Sequence, residues 1–212
     1  MAQQLWTALD SREDGAWKRL PEEVWIDTIK CFARFTREYH KEHGVWGFDR
    51  GFWTTRQIAA KLFRLGALEY ELCTREDGER NVSLHIPSDA RLEKEELNAS
   101  LSAARAFWEE FFPDWADAPV ICDTWLLSPA LEELLPEQSR IRRFRRAFRV
   151  TQCHPDSNEF LQWLFNVPLE RIASVDFASL PEETSLQKNV KRALLRGVLI
   201  GSAEGTLIGA FT

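Results

Sequence analysis

Alternating apolar and polar positions predict two consecutive strands in the first half of the chain. Leu68, Tyr70 and Leu72 alternate with polar residues, which is the pattern of a strand with one apolar face. The run over residues 82–86 has the same period of two. Asp77-Gly78 lies between the two runs, and this dipeptide favours a tight turn because both of its positions accept positive φ. The pattern therefore predicts a β-hairpin.

The length of the hairpin loop decides which side chains meet across the two strands. A two-residue loop pairs Tyr70 with His85. A three-residue loop with a glycine bulge instead pairs Glu69 with His85 and Glu71 with Ser83. Only the second register places the polar residues of both strands on one face and the apolar residues on the other. Consistency of the pattern therefore favours the three-residue loop.

Apolar residues at helical spacing, with serine, threonine or proline near the starts, predict several helices. These helices cover residues 21–43, 56–65, 92–112, 140–148, 158–166 and 183–197, and another begins at Ser128. Gly44, Gly66 and Gly197 provide C-terminal stops. We expect one more short helix before residue 21, packed by Trp6 and Trp17.

Three later segments predict strands. Residues 120–127 form a mostly apolar run typical of a central strand, with Asp123 as the exception, and residues 147–153 predict a second strand. The tail, residues 198–211, predicts two short apolar strands around a glycine-containing turn. Such a tail pairs either with itself as a hairpin, the simpler account, or across the edge of a homodimer.

Composition excludes some classes of function. The net charge of −6 gives no general reason to expect a nucleic-acid partner. The chain has no apolar run of about eighteen residues, so we expect no membrane span. The acidic start lacks the pattern of a signal peptide, which predicts a cytoplasmic protein. The four cysteines are dispersed without a CxxC pair, which predicts reduced thiols and no metal site.

An ordered set of residues resembles the GNAT-like C-terminal domain of bacterial proteins that carry an acyltransferase domain. The set consists of Gly66, residues 68–71, residues 85–87, Ser100, Ala104, Phe107, residues 112–113, Cys122, residues 125–127, residues 134–136, Ser139, Ile141, Phe144, residues 180–181 and residues 184–187. The resemblance implies an α/β (α+β) fold, in which a mostly antiparallel central sheet is flanked by helices. It also implies a GNAT-like domain over residues 44–212, with an N-terminal helical segment over residues 1–43 packed on it.

The resemblance carries an expected activity. Members of the GNAT superfamily transfer an acyl group from coenzyme A to an amine. The expected donor is therefore acetyl-CoA or another acyl-CoA, and the expected acceptor is a small-molecule or peptide amine. The strand that ends at Ile86 would separate from the strand over residues 120–127 to admit the pantetheine arm. This arrangement implies that Ile86, Ser88, Cys122 and Trp125 contact the cofactor.

The chain departs from the GNAT pattern at two places. A glycine-rich turn commonly follows the splayed strand, and its backbone N–H groups hold the pyrophosphate. Residues 87–96 contain no glycine and four acidic side chains instead. A tyrosine late in the fold often protonates the leaving thiolate, whereas the two tyrosines here, Tyr39 and Tyr70, come early. The alternative function is therefore a non-catalytic binding or regulatory module that has lost the phosphate loop.

The polar face of the sheet supplies the candidate catalytic residues. They are His85, Glu71, Glu69 and Asp123. Acyl transfer to an amine needs a base that deprotonates the ammonium group, and a histidine or a carboxylate can serve. A Glu–His or Asp–His pair would also set the tautomer of the imidazole. The alternative is structural: the two glutamates face solvent, and His85 is a satisfied edge or core histidine.

An arginine cluster is the best candidate for a phosphate site. Arg142, Arg143 and Arg146 lie in a helical segment whose apolar residues point inward, and several guanidinium groups can bind one phosphate. The alternative is a solvated helix face paired with the glutamates of residues 132–137. Cys122 next to Asp123 suggests a nucleophile only weakly, because a cysteine in a central strand is usually a small apolar residue.

Overall fold

Three antiparallel strands and five helices form residues 1–120 in the computed structural model, which describes every residue from Met1 to Thr212. The strands are β1 (Leu62–Leu65), β2 (Leu68–Thr74) and β3 (Arg80–His85). The helices are α1 (Ala2–Glu13), α2 (Glu22–Ile29), α3 (Cys31–His43), α4 (Gly51–Ile58) and α5 (Lys94–Phe111). Met1–Val120 forms one unit of the chain, and Ile121–Thr212 forms the other.

Aromatic side chains fill the core of the first unit against α5. Phe63, Phe107, Trp108 and Phe112 contact one another, with ring centroids 5.0–5.9 Å apart. Edge-to-face and tilted contacts of this kind stabilise a core beyond the area they bury. Tyr70 is fully buried on the same side. The polar residues of β2 and β3 therefore lie on the face away from α5, as the alternating pattern predicts.

The N-terminal segments form three helices rather than two. The helix predicted over residues 21–43 is interrupted at Lys30, between α2 and α3, and Gly44 ends α3 in the left-handed conformation with φ 73°. Trp17 is fully buried and its Nε1–H donates to the Gln57 carbonyl oxygen at 2.7 Å. Trp6 is 68% exposed, so the prediction that both tryptophans pack the first helix is wrong for Trp6.

The predicted helix over residues 56–65 is wrong in its second half. α4 ends at Ile58, and Leu62–Leu65 is the strand β1. Ala60 adopts a positive φ of 51°, which ends the helical conformation. Gly66 then makes a tight turn with φ 69°, so that Leu65 pairs with Leu68. Four apolar-rich residues show no helical or strand period of their own, and the hairpin pairing decides their conformation.

Replacing Gly66 with alanine is expected to lower the free energy of unfolding by about 1–2 kcal/mol, the cost of a left-handed conformation in a residue with Cβ. A Cβ at Gly66 would also lie 3.3 Å from the Ser100 Cα. Gly78→Ala is the matched control, because Gly78 has φ 86° and a Cβ added there would have no atom within 4 Å. Urea unfolding of both variants should show the larger loss for Gly66→Ala. Equal losses would contradict a contribution from Ser100.

The second unit is also built on antiparallel pairing. Its strands are β4 (Val120–Thr124), β5 (Phe148–His154) and β6 (Ser202–Leu207), and β6 pairs with both of the others. Its helices are α6 (Leu131–Leu134), α7 (Arg140–Arg146), α8 (Glu159–Phe165) and α9 (Ser185–Leu195). Two predicted caps are confirmed: the Ser139 side chain caps α7, and Thr184 with Gln187 forms a capping box at α9. The helix predicted to begin at Ser128 begins instead at Leu131, with Ala130 as its N-cap. Strands and flanking helices confirm the mixed α/β fold class, with mostly antiparallel pairing.

Two strand predictions in this unit need correction. The strand predicted over residues 120–127 ends at Thr124, because Trp125–Leu127 forms a 3₁₀ turn in which the Thr124 side chain accepts from the Leu126 N–H. The tail forms one strand, β6, rather than a hairpin of two. β6 is paired on both sides, by β4 and β5, so neither of its edges is free to pair across a dimer.

A helix that crosses a bilayer needs about 20 consecutive, mostly apolar residues. None of the helices in this chain is both long enough and apolar enough to span a membrane.

Candidate active site

The register of β2 and β3 brings the polar side chains together. Glu69 lies opposite His85, and Glu71 lies opposite Ser83. This confirms the register that the three-residue loop predicts. Because residues two apart in a strand share a face, Glu69, Glu71 and His85 project from the same side of the sheet.

His85 forms a hydrogen-bonded pair with Glu71. The His85 Nε2 atom lies 3.0 Å from Glu71 Oε2. On the other side of the carboxylate, Arg56 Nε lies 3.3 Å from Glu71 Oε1. Both members of the pair are half-buried: the side chain of His85 is 25% exposed and that of Glu71 is 17% exposed. Most of the surface of the pair is therefore shielded from water, but a substrate can still contact it.

This geometry selects one tautomer of the neutral imidazole. A carboxylate only accepts hydrogen bonds, so His85 Nε2 carries the proton that it donates to Glu71. Nδ1 is then the nitrogen with a free electron pair. Burial by itself would raise the pKa of Glu71, but the hydrogen bond and charge of His85, together with Arg56 and Lys61, lower the pKa overall. Glu71 stays ionised at neutral pH and can stabilise a protonated His85.

Aromatic and cationic side chains from α4 line the same pair. The ring of Trp53 meets the imidazole of His85 edge to face, with centroids 5.1 Å apart. The guanidinium of Arg56 lies 4.0 Å from the centroid of the Trp53 ring. In the sequence, Trp53 stands among three other aromatic residues, and no local pattern indicates that it reaches β3. Only the packing of α4 on the sheet brings it to His85.

Glu69 is held differently from Glu71. Its carboxylate is 3% exposed, and its Oε1 atom lies 2.7 Å from Arg34 Nη1 of α3. Arg34 is itself buried, with a side chain 7% exposed. The part of the structural alternative in which both glutamates face solvent is therefore wrong, whereas His85 does have a hydrogen-bond partner. Glu69 belongs to a buried ion pair, whereas Glu71 contacts the imidazole.

The turn after β3 is tied to the same arginine. Asp89 Oδ1 lies 2.9 Å from Arg64 Nη1 and 3.8 Å from Arg34 Nη1. The Ser88 hydroxyl donates to Glu38 Oε1 on α3. Ile86 is half-buried and Ser88 is exposed at the end of β3. The acidic turn that replaces the glycine-rich turn is thus an ordered element fastened by side chains.

The remaining predicted residues lie in the second unit. Cys122 is 1% exposed on β4, and burial raises the pKa of its thiol far above the usual range, so it is a poor nucleophile. Asp123, next along β4, has an exposed side chain. Trp125 is 8% exposed in the 3₁₀ turn that follows.

Glu159 is a charged residue of this unit that the sequence patterns do not reveal. Its Oε1 atom accepts from the Trp125 backbone N–H at 2.6 Å. Burial, with Asp123 nearby, raises the pKa of Glu159. His154 Nε2 lies 3.9 Å from Asp123 Oδ2, at the edge of ion-pair distance. The segment around Glu159 has the pattern of an ordinary amphipathic helix, so no sequence signal marks it.

Some arginine side chains of helix α7 form ion pairs with glutamates, and some line a depression on the surface. Arg145 pairs with Glu132, and Arg146 Nη2 lies 3.2 Å from Glu137 Oε1. Arg142 donates to the Leu135 carbonyl oxygen at 3.3 Å. A surface depression of about 400 Å³ is lined by Glu137, Gln138, Arg143 and Arg146. Of the three predicted phosphate ligands, Arg143 and Arg146 reach this depression.

A metal ion would need several donor side chains that converge on one point. No group of three or more histidine, cysteine, aspartate and glutamate side chains has the arrangement that could hold a metal ion.

Sequence comparison identifies the family. The model of the GNAT-like C-terminal domain matches residues 62–207. The chain belongs to this family. The model of the N-acyltransferase N-terminal domain matches residues 3–60, which include α1 to α4. The two matches meet between α4 and β1. No curated protein sequence is significantly similar to the chain.

Solved structures of acyltransferases share the fold of this GNAT-like protein. One is an acyltransferase in complex with decanoyl-CoA and teicoplanin, with 25% sequence identity and a TM-score of 0.87 over 99% of the present chain. Another is an acyltransferase mutant in complex with octanoyl-CoA, with 26% identity and a TM-score of 0.86 over 96% of the chain. The present chain spans 65% and 64% of the lengths of these two proteins.

Proposed function

We propose that this protein transfers an acyl group from an acyl-CoA to an amine, with His85 as the general base. The observation that carries the proposal is the 3.0 Å contact between His85 Nε2 and Glu71 Oε2 on a half-buried polar face. Membership of the GNAT-like family and the likeness to acyltransferases that bind acyl-CoA support the donor.

The proposed step begins with proton transfer from the acceptor ammonium to His85 Nδ1. The neutral amine attacks the thioester carbonyl carbon, a C–N bond forms and the C–S bond breaks. The electron pair of the C–S bond leaves on the coenzyme A sulfur, which takes the second proton that the attacking nitrogen loses as the amide forms. Glu71 fixes the tautomer and stabilises the imidazolium, and a base held in this way contributes about 10²–10⁴-fold to such a step. Burial raises the pKa of Tyr70 to about 12, and this side chain lies in the core, so it does not supply that proton.

Roles for the other candidate residues follow from where they lie. Ile86 and Ser88 would contact the donor at the end of β3. Glu69 is paired with Arg34 and is not proposed as a base. Asp123 has an exposed side chain in the second unit and is not proposed as a base. Arg143 and Arg146 would contact phosphate groups at the depression that they line. Arg142 donates to the Leu135 carbonyl oxygen instead and does not line the depression.

The proposed acceptor is the amine of a small molecule. Teicoplanin is bound in one of the similar acyltransferases, which supports an acceptor of this class over a protein. A peptide amine is the second acceptor to test.

We propose separately that the protein forms a homodimer. Size-exclusion chromatography with light scattering can test this.

A binding module without catalysis is the second candidate function. The observation that favours it is the turn after β3, which lacks glycine and places the Asp89 carboxylate in ion pairs with Arg64 and Arg34. Backbone N–H groups of a glycine-rich turn are the usual pyrophosphate ligands, and an acidic side chain repels phosphate. In this alternative the polar face would bind a ligand without transferring an acyl group.

Thermal melting with acyl-CoA and a thiol-release assay separate the two functions. A donor that binds only the folded state should raise the free energy of unfolding by about 2.7 kcal/mol at roughly 100 times its Kd. Acetyl-, octanoyl- and decanoyl-CoA should each be tested, with coenzyme A and ATP as controls. Stabilisation together with amine-dependent release of free thiol supports the transferase. Stabilisation without release, across a panel of amines, supports the binding module, and no stabilisation near millimolar donor contradicts the proposed enzyme.

A further inference from the structure

Two carboxylates flank His85, and each is held by its own arginine. Glu69 lies directly opposite His85 across the β2–β3 pair, and Glu71 lies two residues further along β2. Arg56 binds Glu71 from α4, and Arg34 binds Glu69 from α3. Directly opposed residues in a sheet have Cβ atoms about 4.5–5.5 Å apart, so Glu69 is within reach of the imidazole. Yet only Glu71 forms the hydrogen bond.

The Arg34 side chain explains this difference. Its Nη1 atom lies 2.7 Å from Glu69 Oε1. Its Nε atom lies 3.5 Å from Glu38 Oε1. Burial by itself would lower the pKa of Arg34, but Glu69, Glu38 and Asp89 raise it overall, so the guanidinium stays charged in the buried cluster. A charged, buried arginine at 2.7 Å thus engages the Glu69 carboxylate.

We propose that Arg34 is a positioning residue for His85: by holding Glu69, it leaves Glu71 as the only carboxylate partner of the imidazole. His85 then keeps the proton on Nε2 and presents Nδ1 to the acceptor amine. The inference rests on the proposed function of His85 as the base. It adds a role for a pair of residues that do not touch the imidazole.

The charges around His85 determine the expected effect of breaking this pair. Glu71 and Glu69 face it from β2, and Arg56 faces the Glu71 side from α4. Lys61 acts on Glu71 as well, and Arg64, opposite Glu69 on β1, is engaged with Asp89. Arg34 and Glu38 complete the cluster from α3. Without Arg34, the Glu69 carboxylate loses its 2.7 Å partner and adds an unbalanced negative charge beside the imidazole.

A histidine titration measures this effect without requiring activity. The Cε1–H proton signal of His85, identified among the four histidines by its absence in His85→Gln, is followed against pH by NMR. Arg34→Gln should move the midpoint at least about half a pH unit upward, because a nearby negative charge favours the protonated imidazole. Arg34→Lys should remain near wild type. In the double variant Arg34→Gln/Glu69→Gln, the midpoint should return toward the wild-type value.

The pH profile of acyl transfer supplies the functional readout. In Arg34→Gln, the acid limb of the kcat/KM profile should shift to higher pH together with the NMR midpoint, and activity should recover above that pH. The control is Arg80→Gln, which breaks an exposed pair with Asp114 at the far end of β3. It should change neither the acid limb of kcat/KM nor the NMR midpoint. A folded Arg34→Gln protein with an unmoved midpoint would overturn the proposal, as would a double variant that keeps the shift.

A second variant covers the case in which Arg34→Gln does not fold. Glu69→Gln leaves the Arg34 charge unbalanced, so the His85 midpoint should move downward, and an unmoved midpoint again overturns the proposal. A different result would contradict the proposed function. A wild-type protein that transfers no acyl group, but whose variants show the expected midpoints, contradicts the transferase while supporting the electrostatic role of Arg34.

Discussion

Replacing His85 with glutamine is expected to lower kcat/KM for acyl transfer by about 10²–10⁴-fold, the contribution of a positioned general base. Glutamine can still hydrogen-bond to Glu71, so the 3.0 Å contact to the carboxylate has a substitute. What it lacks is the basic nitrogen that takes the proton of the ammonium. The loss should therefore fall on kcat rather than on donor binding, because the acyl-CoA does not need this proton transfer.

The measurement combines the thiol-release assay with thermal melting. His85→Gln should keep the stabilisation by acyl-CoA while losing turnover. Glu71→Gln should lower kcat/KM less, because the imidazole remains but its tautomer is no longer set. His154→Gln is the matched control, since His154 is half-buried and lies 3.9 Å from Asp123 in the other unit. Turnover that survives in His85→Gln would show that another group is the base.

Replacing Arg34 with methionine is expected to lower the free energy of unfolding by about 3–5 kcal/mol, the cost of breaking a buried ion pair from one side. The side chains of Arg34 and Glu69 are 7% and 3% exposed. Removing the guanidinium leaves the Glu69 carboxylate buried without its partner. A buried charge without a partner destabilises the folded state.

A double variant separates the charge effect from the packing effect. Arg34→Met with Glu69→Leu replaces both charges by apolar groups and should recover much of the lost stability, since a buried ion pair often contributes little net free energy compared with apolar residues. Lys18→Ala breaks a pair whose side chains are 62% and 88% exposed, and it should change stability very little. Urea unfolding at neutral pH measures all three variants. If Arg34→Met lowers the free energy of unfolding no more than Lys18→Ala does, a large contribution of the buried pair to stability is contradicted.

Local patterns predict much of the candidate site. The alternation in β2 and β3 and the Asp77-Gly78 turn suffice to pair Glu69 with His85, and therefore to place Glu71 on the same face. These signals are reliable because a register error of one residue would turn every apolar side chain of the hairpin to the wrong face. The same holds for the caps at Ser139 and Thr184, which depend only on residues within one helical turn.

The strands β1 and β6 are examples that local patterns do not predict. Residues 62–65 resemble the continuation of α4, and they become a strand because Gly66 folds them back onto β2. The tail resembles a hairpin, yet its one strand lies between β4 and β5. In both cases the decisive hydrogen bonds come from segments elsewhere in the chain, and propensity is weaker than such pairing.

By itself, the sequence determined the fold class, the family resemblance, the hairpin register and the choice of His85 and Glu71 as candidates. Only the tertiary structure decided which glutamate contacts the imidazole. Glu69 and Glu71 have the same side chain and lie two positions apart on one strand, so no local pattern distinguishes them. They differ because α3 brings Arg34 to one of them, and α4 brings Arg56 and Trp53 to the other. The physical reason is that partners from distant segments set the charge and orientation of a buried side chain.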